Sequence, residues 1–260
     1  MHRPLILSLL ALLMVLFSPT ATAADAALPE TDTPTTLAAD PNHQIFLPVV
    51  RGSFAIPDIL PNDAHTLALF PLDGSTQDTS GNNRHATLIG GTFITTTVGQ
   101  GLQITGTVSG DGQGFQWNAY ANLLVHPYSI EMIVTPNRTS SYAKLFSFDD
   151  SQDSGWYYQG NGIAVYPNAS LGAGKAQPNE RHYIAFVSLD NENIEVFLQG
   201  VSIGTTANSF TSPPGQAIFF NDDSGTGRGE QLTGVVEYVR ISNISRTPTE
   251  MQAIRNRLHP

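Results

Sequence analysis

The feature that most constrains this chain is a series of short β-prone segments separated by turn residues. From residue 65 onward, stretches rich in Val, Ile, Phe and Thr alternate with clusters of Gly, Asn, Asp and Ser. The strands recur about every 8–12 residues, a spacing typical of antiparallel sandwiches, whereas parallel strands need longer crossover connections. We therefore predict an all-β fold, a two-sheet antiparallel β-sandwich, with strands at residues 66–71, 86–89, 101–104, 128–135, 143–147, 162–165, 181–189, 193–198, 201–205, 216–220 and 235–241.

Helix-forming signals are confined to the end of the chain. Thr247 and Glu250 form a capping box around Pro248, which suits the first position of a helix. Met251, Ile254 and Leu258 follow at helical spacing and form one apolar stripe. We predict a short C-terminal helix that packs on the sandwich.

The first 23 residues have the pattern of a signal peptide. Basic His2 and Arg3 precede an apolar run at residues 5–17, and Ala21-Thr22-Ala23 fits the cleavage pattern before Ala24. The run has about 13 residues, fewer than the roughly 20 needed to span a bilayer. We predict a secreted, extracellular protein with no membrane insertion after signal cleavage.

Residues 24–64 have the composition of a flexible linker, and the folded domain is predicted at residues 65–260. The linker is rich in Ala, Thr, Pro and Asp without helical or strand periodicity. Within it, residues 44–51 form a short apolar segment that Pro48 excludes from a central strand. This segment could be an edge strand or a docking segment.

The composition excludes several function classes. The chain has no cysteine, so it lacks thiol catalysis and zinc-thiolate sites. Its net charge is −10 with no basic run, so no nucleic-acid partner is predicted. An exported chain without disulfides must be held together by core packing, with a bound metal as a further possibility.

Oxygen-bearing side chains crowd the turn after the first strand. Asp78, Ser80 and Asn82 lie at alternating positions, and a second acidic cluster follows the strand near residue 219. Oxygen ligands suit Ca²⁺, so we predict one structural Ca²⁺ bound by Asp78, Ser80, Asn82, Asp222, Asp223 and Glu237. The alternative is that these residues form solvated turns in which Asp and Asn bond the local backbone.

Aromatic residues in polar surroundings predict a carbohydrate site. An exposed aromatic ring with amides on its rim can hold the apolar face of a sugar. The candidates are Trp156, Tyr157, Tyr158, Trp117, Tyr120 and Tyr142. The alternative is burial, because Trp and Tyr are usually well buried and successive strand residues point to opposite faces.

Four segments in order resemble the laminin-G-like, or concanavalin-A-like, jelly-roll family. They are the opening stretch at residues 67–88, then residues 128–136, 181–204 and 234–250. The resemblance implies two antiparallel sheets with the first and last strands adjacent, which places residues 67–72 beside 235–241. The sequence departs from the family pattern at Gln199-Gly200, where Asp-Gly is usual, and at Arg181, where Trp is usual.

The resemblance and the aromatic residues predict a non-catalytic binding module. The predicted partner is a glycan or an extracellular or cell-surface protein. One alternative is a structural or adhesion module. A jelly-roll glycanase using Asp190, Glu192 and Glu195 is disfavoured, because Glu192 and Glu195 would face opposite sides of a strand.

Overall fold

The computed structural model describes residues 59–106, 112–148, 154–210, 213–222 and 229–258, all within a compact unit at Ser53–Pro260. The predicted signal peptide at residues 1–23, the segment at 44–51 and most of the linker lie outside the described residues. The described strands are β1 Thr66–Phe70, β2 Thr87–Gly90, β3 Thr92–Thr96, β4 Gly99–Ile104, β5 Gly114–Gln116, β6 Ser129–Pro136, β7 Ala143–Ser147, β8 Gly155–Gln159, β9 Gly162–Tyr166, β10 Ala169–Leu171, β11 His182–Ser188, β12 Asn193–Leu198, β13 Val201–Ala207, β14 Ile218–Phe219 and β15 Gly234–Ser242. A 3-10 helix spans Asn118–Leu123, and the α-helix α1 spans Pro248–Leu258.

The strands form two antiparallel sheets, which confirms the predicted all-β sandwich. The eight-stranded sheet has the order β13-β12-β11-β6-β15-β4-β3, and β1 also pairs with β15. The seven-stranded sheet has the order β10-β9-β8-β7-β14-β5-β2. Thr66 of β1 faces Ser242 of β15 and Phe70 faces Val239, so the first and last strands are adjacent as expected.

The main core lies between the two sheets. Alternation along β6 points Ile130, Met132 and Val134 inward, and all three side chains are buried. Trp156 of β8 stacks on Phe186 of β11, with ring centroids 3.9 Å apart and planes 15° apart. This aromatic contact joins the two sheets.

Four short strands were missing from the sequence prediction, namely β3, β5, β8 and β10. Glycine often marks a turn, and glycines lie in or near these strands. At least one of these glycines, however, is needed inside the sheet. Gly155 has φ +145°, and a Cβ there would lie 2.5 Å from the carbonyl oxygen of Phe146 on the paired strand. The glycine therefore allows close strand approach rather than ending the strand.

Helix α1 begins and packs as the sequence predicts. The Thr247 N–H donates to Glu250 Oε2 at 2.7 Å, and the Glu250 N–H donates to Thr247 Oγ1 at 3.3 Å. Met251 and Ile254 are buried on the outer face of the eight-stranded sheet, in a second apolar cluster. We call this surface the covered face.

The covered face also contains a buried ionic cluster. The Arg240 guanidinium donates to both carboxylate oxygens of Glu131, at 2.6 and 2.8 Å, and the Tyr183 hydroxyl donates to Glu131 at 2.6 Å. Arg240 and Glu131 are almost wholly buried, so each needs the other to offset its desolvation.

The packed part of the chain begins before the predicted boundary at residue 65. Ile59 and Leu60 are buried in the apolar cluster of the covered face. The Pro61 carbonyl accepts a hydrogen bond from Arg240 at 2.5 Å, and Asp63 pairs with Arg246 at 2.6 Å. The Arg246 hydrogen bonds hold the pKa of Asp63 below its ordinary value. The end of the predicted linker is therefore part of the domain.

Candidate functional site

The outer face of the seven-stranded sheet carries a cleft of about 300 Å³ at its β9–β10 edge. We call it the tyrosine cleft. Its volume lies at the lower end of the range of ligand pockets, so it suits a small ligand or one unit of a longer one. The lining residues are Tyr142, Gln159, Ala164, Tyr166, Pro167, Asn168, Ala169 and Ser170.

Strand alternation places aromatic side chains on this outer face. Trp156 and Tyr158 point into the main core, so Tyr157 between them points outward. Tyr157 pairs with Ala164 of β9, and Tyr166 lies two residues further along the same strand. Tyr142, directly before β7, completes a group of three tyrosines.

The three tyrosine rings hold one another nearly perpendicular. The Tyr142 ring centroid lies 5.3 Å from that of Tyr157 and 5.9 Å from that of Tyr166. The Tyr157 and Tyr166 centroids are 6.2 Å apart, at 82°. Edge-to-face contacts of this kind are favourable. Tyr157 is buried, while Tyr142 and Tyr166 are partly exposed in the cleft.

A buried lysine fixes Tyr157, the buried ring of this group. The Lys144 ammonium donates to the Tyr157 hydroxyl and lies 4.2 Å from its ring centroid. It also donates to the Ser154 carbonyl at 3.0 Å and lies 3.7 Å from Asp222 Oδ1. These contacts hold Tyr157 in place beneath the exposed rings.

Uncharged polar groups form the rim of the cleft. The Ser170 hydroxyl donates to Gln159 Oε1 at 2.6 Å, which directs the Gln159 amide nitrogen away from Ser170. Asn168 Nδ2 donates to the Ala207 carbonyl at 2.9 Å, which leaves Oδ1 to accept from a ligand. The rim can therefore offer both a donor and an acceptor.

Four of the six predicted aromatic residues are buried, as the alternative of core burial predicts, while Tyr120 and Tyr142 are partly exposed. Trp117, Trp156 and Tyr158 are buried in the main core, and Tyr157 is buried beneath the cleft. Both faces of β8 are covered, so alternation exposes none of its three aromatic rings. Of the six, Tyr142 alone lines the tyrosine cleft.

Tyr120 is partly exposed but lies at the other end of the seven-stranded sheet. It follows β5, contacts the Trp117 ring at 5.6 Å and does not line the cleft. Sequence reasoning missed Tyr166, which directly follows the predicted strand at residues 162–165. Extending the alternation from Ala164 by two residues would have placed it on the outer face.

The Asp78 carboxylate stabilises its own turn by accepting backbone hydrogen bonds. It accepts hydrogen bonds from the backbone N–H groups of Leu69, Ser80 and Arg84 at 3.0, 2.8 and 2.9 Å. Burial would raise the pKa of Asp78, but these hydrogen bonds outweigh it, so the pKa lies below its ordinary value. Asn82 likewise donates to the Thr66 carbonyl at 2.9 Å. Ser80 Oγ in turn accepts from Asn82 Nδ2 at 3.1 Å.

Two of the other predicted metal ligands have cationic neighbours. Asp222 lies beside Lys144, and Glu237 forms an ion pair with Arg181 at 2.8 Å. Asp223 lies outside the described residues. Among the parts of the chain that are described, no group of three or more His, Asp and Glu side chains could hold a metal ion. The Ca²⁺ site stays a prediction.

The acidic segment at residues 190–195 forms a hairpin turn. Asp190 Oδ1 accepts hydrogen bonds from the N–H groups of Glu192 and Asn193, at 2.8 and 2.6 Å. Glu192 is exposed in the turn, and Glu195 on β12 accepts a hydrogen bond from Ser202 at 2.6 Å. Asp190 therefore stabilises the turn through backbone hydrogen bonds, and Glu195 bonds the neighbouring strand.

A titratable pair lies between the sheets. His182 Nδ1 is 3.0 Å from the Tyr158 hydroxyl, and both side chains are almost wholly buried. Burial lowers the pKa of His182 to about 4, because desolvation disfavours the charged imidazolium. The imidazole is therefore neutral at physiological pH.

Neither a known family model nor a curated protein matches this sequence. Its fold is nevertheless shared by domain 4 of AbnA, a GH43 extracellular arabinanase from Geobacillus stearothermophilus, solved in complex with arabinotriose. That match has a TM-score of 0.58 and 16% identity, and covers 74% of this chain and 98% of that domain. At this identity the likeness establishes the β-sandwich fold alone, and membership of the laminin-G-like family stays a prediction.

Two toxin domains share the same fold. The binding domain of Paraclostridial Mosquitocidal Protein 1 matches with a TM-score of 0.57 and 10% identity, over 74% of this chain and 52% of that one. The botulinum neurotoxin serotype D/C binding domain matches with a TM-score of 0.51 and 15% identity, over 76% and 53%. This chain therefore spans about half the length of each of these two binding-domain chains.

Among the described residues, no helix combines the length and apolar sequence needed to cross a membrane.

Proposed function

We propose that this chain is a secreted, non-catalytic binding module whose ligand is a carbohydrate bound in the tyrosine cleft. The observation that carries the proposal is the pairing of two partly exposed tyrosine rings with an uncharged polar rim. Sugars present apolar C–H faces and a ring of hydroxyls, and both chemistries are available in this cleft.

The fixed positions of the tyrosines support a binding role. Tyr157 is held by Lys144, and it holds Tyr142 and Tyr166 by edge-to-face contact. A ligand would therefore meet rings that already have their bound orientation, which reduces the entropy cost of association. Export by the predicted signal peptide would bring the module to extracellular glycans.

A structural or adhesion module is the second candidate. The burial of both tryptophans favours it, because a sugar platform often uses an exposed tryptophan and neither ring is exposed here. Its partner would be an extracellular or cell-surface protein. A glycan array separates the two candidates directly.

The test uses the chain from residue 24 onward on an array of plant, microbial and host glycans. We expect binding that Tyr142→Ala weakens at least about tenfold, equivalent to about 1.4 kcal/mol. The matched control is Tyr120→Ala, because Tyr120 is a partly exposed tyrosine outside the cleft. Absence of glycan binding would transfer the assignment to protein binding, and equal losses in the two variants would show that the glycan site is not the tyrosine cleft.

A further inference from the structure

We infer that the tyrosine cleft selects uncharged saccharides and discriminates against anionic ones. This inference rests on the function proposed above and narrows its substrate class. The described residues that line the cleft include no Asp, Glu, Lys, Arg or His. A carboxylate or sulfate entering it would lose hydration without meeting a compensating cation.

The rim groups distinguish hydroxyls from anionic oxygens. A sugar hydroxyl both donates and accepts, so it can bond the Gln159 amide nitrogen and the Asn168 Oδ1 atom. An anionic oxygen only accepts, and it would be repelled by the partial negative charge on Asn168 Oδ1. One rim position thus acts against the anionic ligand.

The cations that contact the cleft tyrosines are already bound to protein groups. Lys144 lies beneath Tyr157, wholly buried, with Ser154 and Asp222 beside it. Arg138 directs Nη2 to the carbonyl oxygens of Tyr142 and Gly229, at 3.1 and 2.9 Å. Recruiting either cation to an anionic sugar would break these contacts, and moving Lys144 would also take a cation away from the buried Asp222 carboxylate.

The net negative charge of the chain also disfavours anionic ligands. The chain has 22 acidic and 12 basic residues, giving a net charge of −10. A polyanionic glycan would be repelled before it reached the cleft, and salt would reduce that repulsion. Local chemistry and overall charge therefore favour a neutral ligand.

The experiment compares oligosaccharides that differ by one carboxylate in each sugar unit, namely galacto-oligosaccharides and galacturono-oligosaccharides of equal length and linkage, by titration calorimetry. We expect the neutral member to bind at least about tenfold more tightly at 0.15 M salt. Asn168→Lys, which replaces the acceptor by a cation, should reduce that ratio at least about tenfold. Asn243→Lys is the control, because Asn243 is exposed after β15 and does not line the cleft.

The outcomes separate this inference from the proposed function. If the galacturonate binds as tightly as the neutral sugar and Tyr142→Ala abolishes both, the neutral preference is wrong while carbohydrate binding stands. If Asn168→Lys leaves the ratio unchanged, the assignment of selectivity to this rim is wrong. If neither sugar binds and the glycan array is silent, the proposed function itself fails.

Discussion

The two outer faces of this sandwich differ in what packs over them. The covered face is closed by helix α1 and by residues 59–63, and it buries an apolar cluster together with the Glu131–Arg240 pair. The outer face of the seven-stranded sheet keeps the tyrosine cleft accessible near its β9–β10 edge. Both faces bury charged groups, so buried charge alone does not distinguish the face that carries the cleft. The difference lies in what packs over each sheet.

The buried cations also have different tasks. Arg240 joins Glu131 to the Pro61 carbonyl and so connects the sheet to the chain segment that covers it. Lys144 supports a tyrosine beneath partly exposed rings. The Arg240 contacts hold residues 59–63 over the covered face. The Lys144 contacts instead fix a ring beneath the accessible tyrosine cleft.

The largest expected effect comes from breaking the pair on the covered face. Arg240→Met leaves Glu131 buried without its bidentate partner, and we expect the free energy of unfolding to fall by about 3–5 kcal/mol. Arg240→Lys keeps the charge but loses the bidentate geometry, so its loss should be smaller. Urea denaturation measures both, and glycan affinity of the folded fraction should remain unchanged.

The control for that measurement is Arg255→Met, an exposed position on helix α1, which should change stability by about 0.5 kcal/mol or less. Equal losses at positions 240 and 255 would show that the ionic cluster does not secure the covered face.

The next effect concerns the interior between the two faces. The unfolded chain protonates His182 near pH 6.5, but the folded protein resists protonation until about pH 4. Below pH 6.5 the unfolded state therefore binds more protons, and stability falls as the pH drops. At about 1.4 kcal/mol per pH unit, the loss from His182 reaches about 3 kcal/mol by pH 4.

His182→Gln should remove this part of the pH dependence, as measured by urea unfolding at a series of pH values from 7 to 4. His65→Gln is the matched control, because His65 is exposed. A pH profile that is the same for wild type and His182→Gln would contradict the assignment.

The smallest expected effect concerns the turn that follows β1. The Asp78 carboxylate already accepts three backbone hydrogen bonds, so we expect neither Ca²⁺ nor a chelator to change the melting temperature appreciably. Differential scanning calorimetry of chelator-treated protein with and without 2 mM Ca²⁺ checks this. A clear rise in melting temperature with Ca²⁺ would support the metal-site prediction and imply ligands among residues outside the described ranges.

The sequence predicted the elements better than the surfaces. The capping box at Thr247 and the strand at residues 193–198 rest on neighbouring residues, so both could be read locally and both are confirmed. The aromatic sequence at residues 156–158 was also recognisable as significant. The sequence left open whether these rings are exposed or buried, because burial depends on the second sheet and on the cover over each face.

In the tyrosine cleft, too, neighbouring residues predicted one part and tertiary packing decided the rest. Tyr142 was identified from its polar neighbourhood, whereas Tyr166 was missed although it lies two residues beyond Ala164 on one strand. Nothing local indicates that Tyr142 and Tyr166 meet, since their contact depends on the pairing of β7, β8 and β9. Long-range strand register decides which side chains share a surface.

By itself, the sequence determined that this protein is an antiparallel sandwich with a capped terminal helix, because turn chemistry, alternation and capping act over a few residues. Only the tertiary structure decided that Lys144 lies beside Asp222, that Glu131 is matched by Arg240 and that one outer face carries a cleft. The physical reason is that burial and charge pairing depend on groups far apart in the chain, which no local pattern brings together.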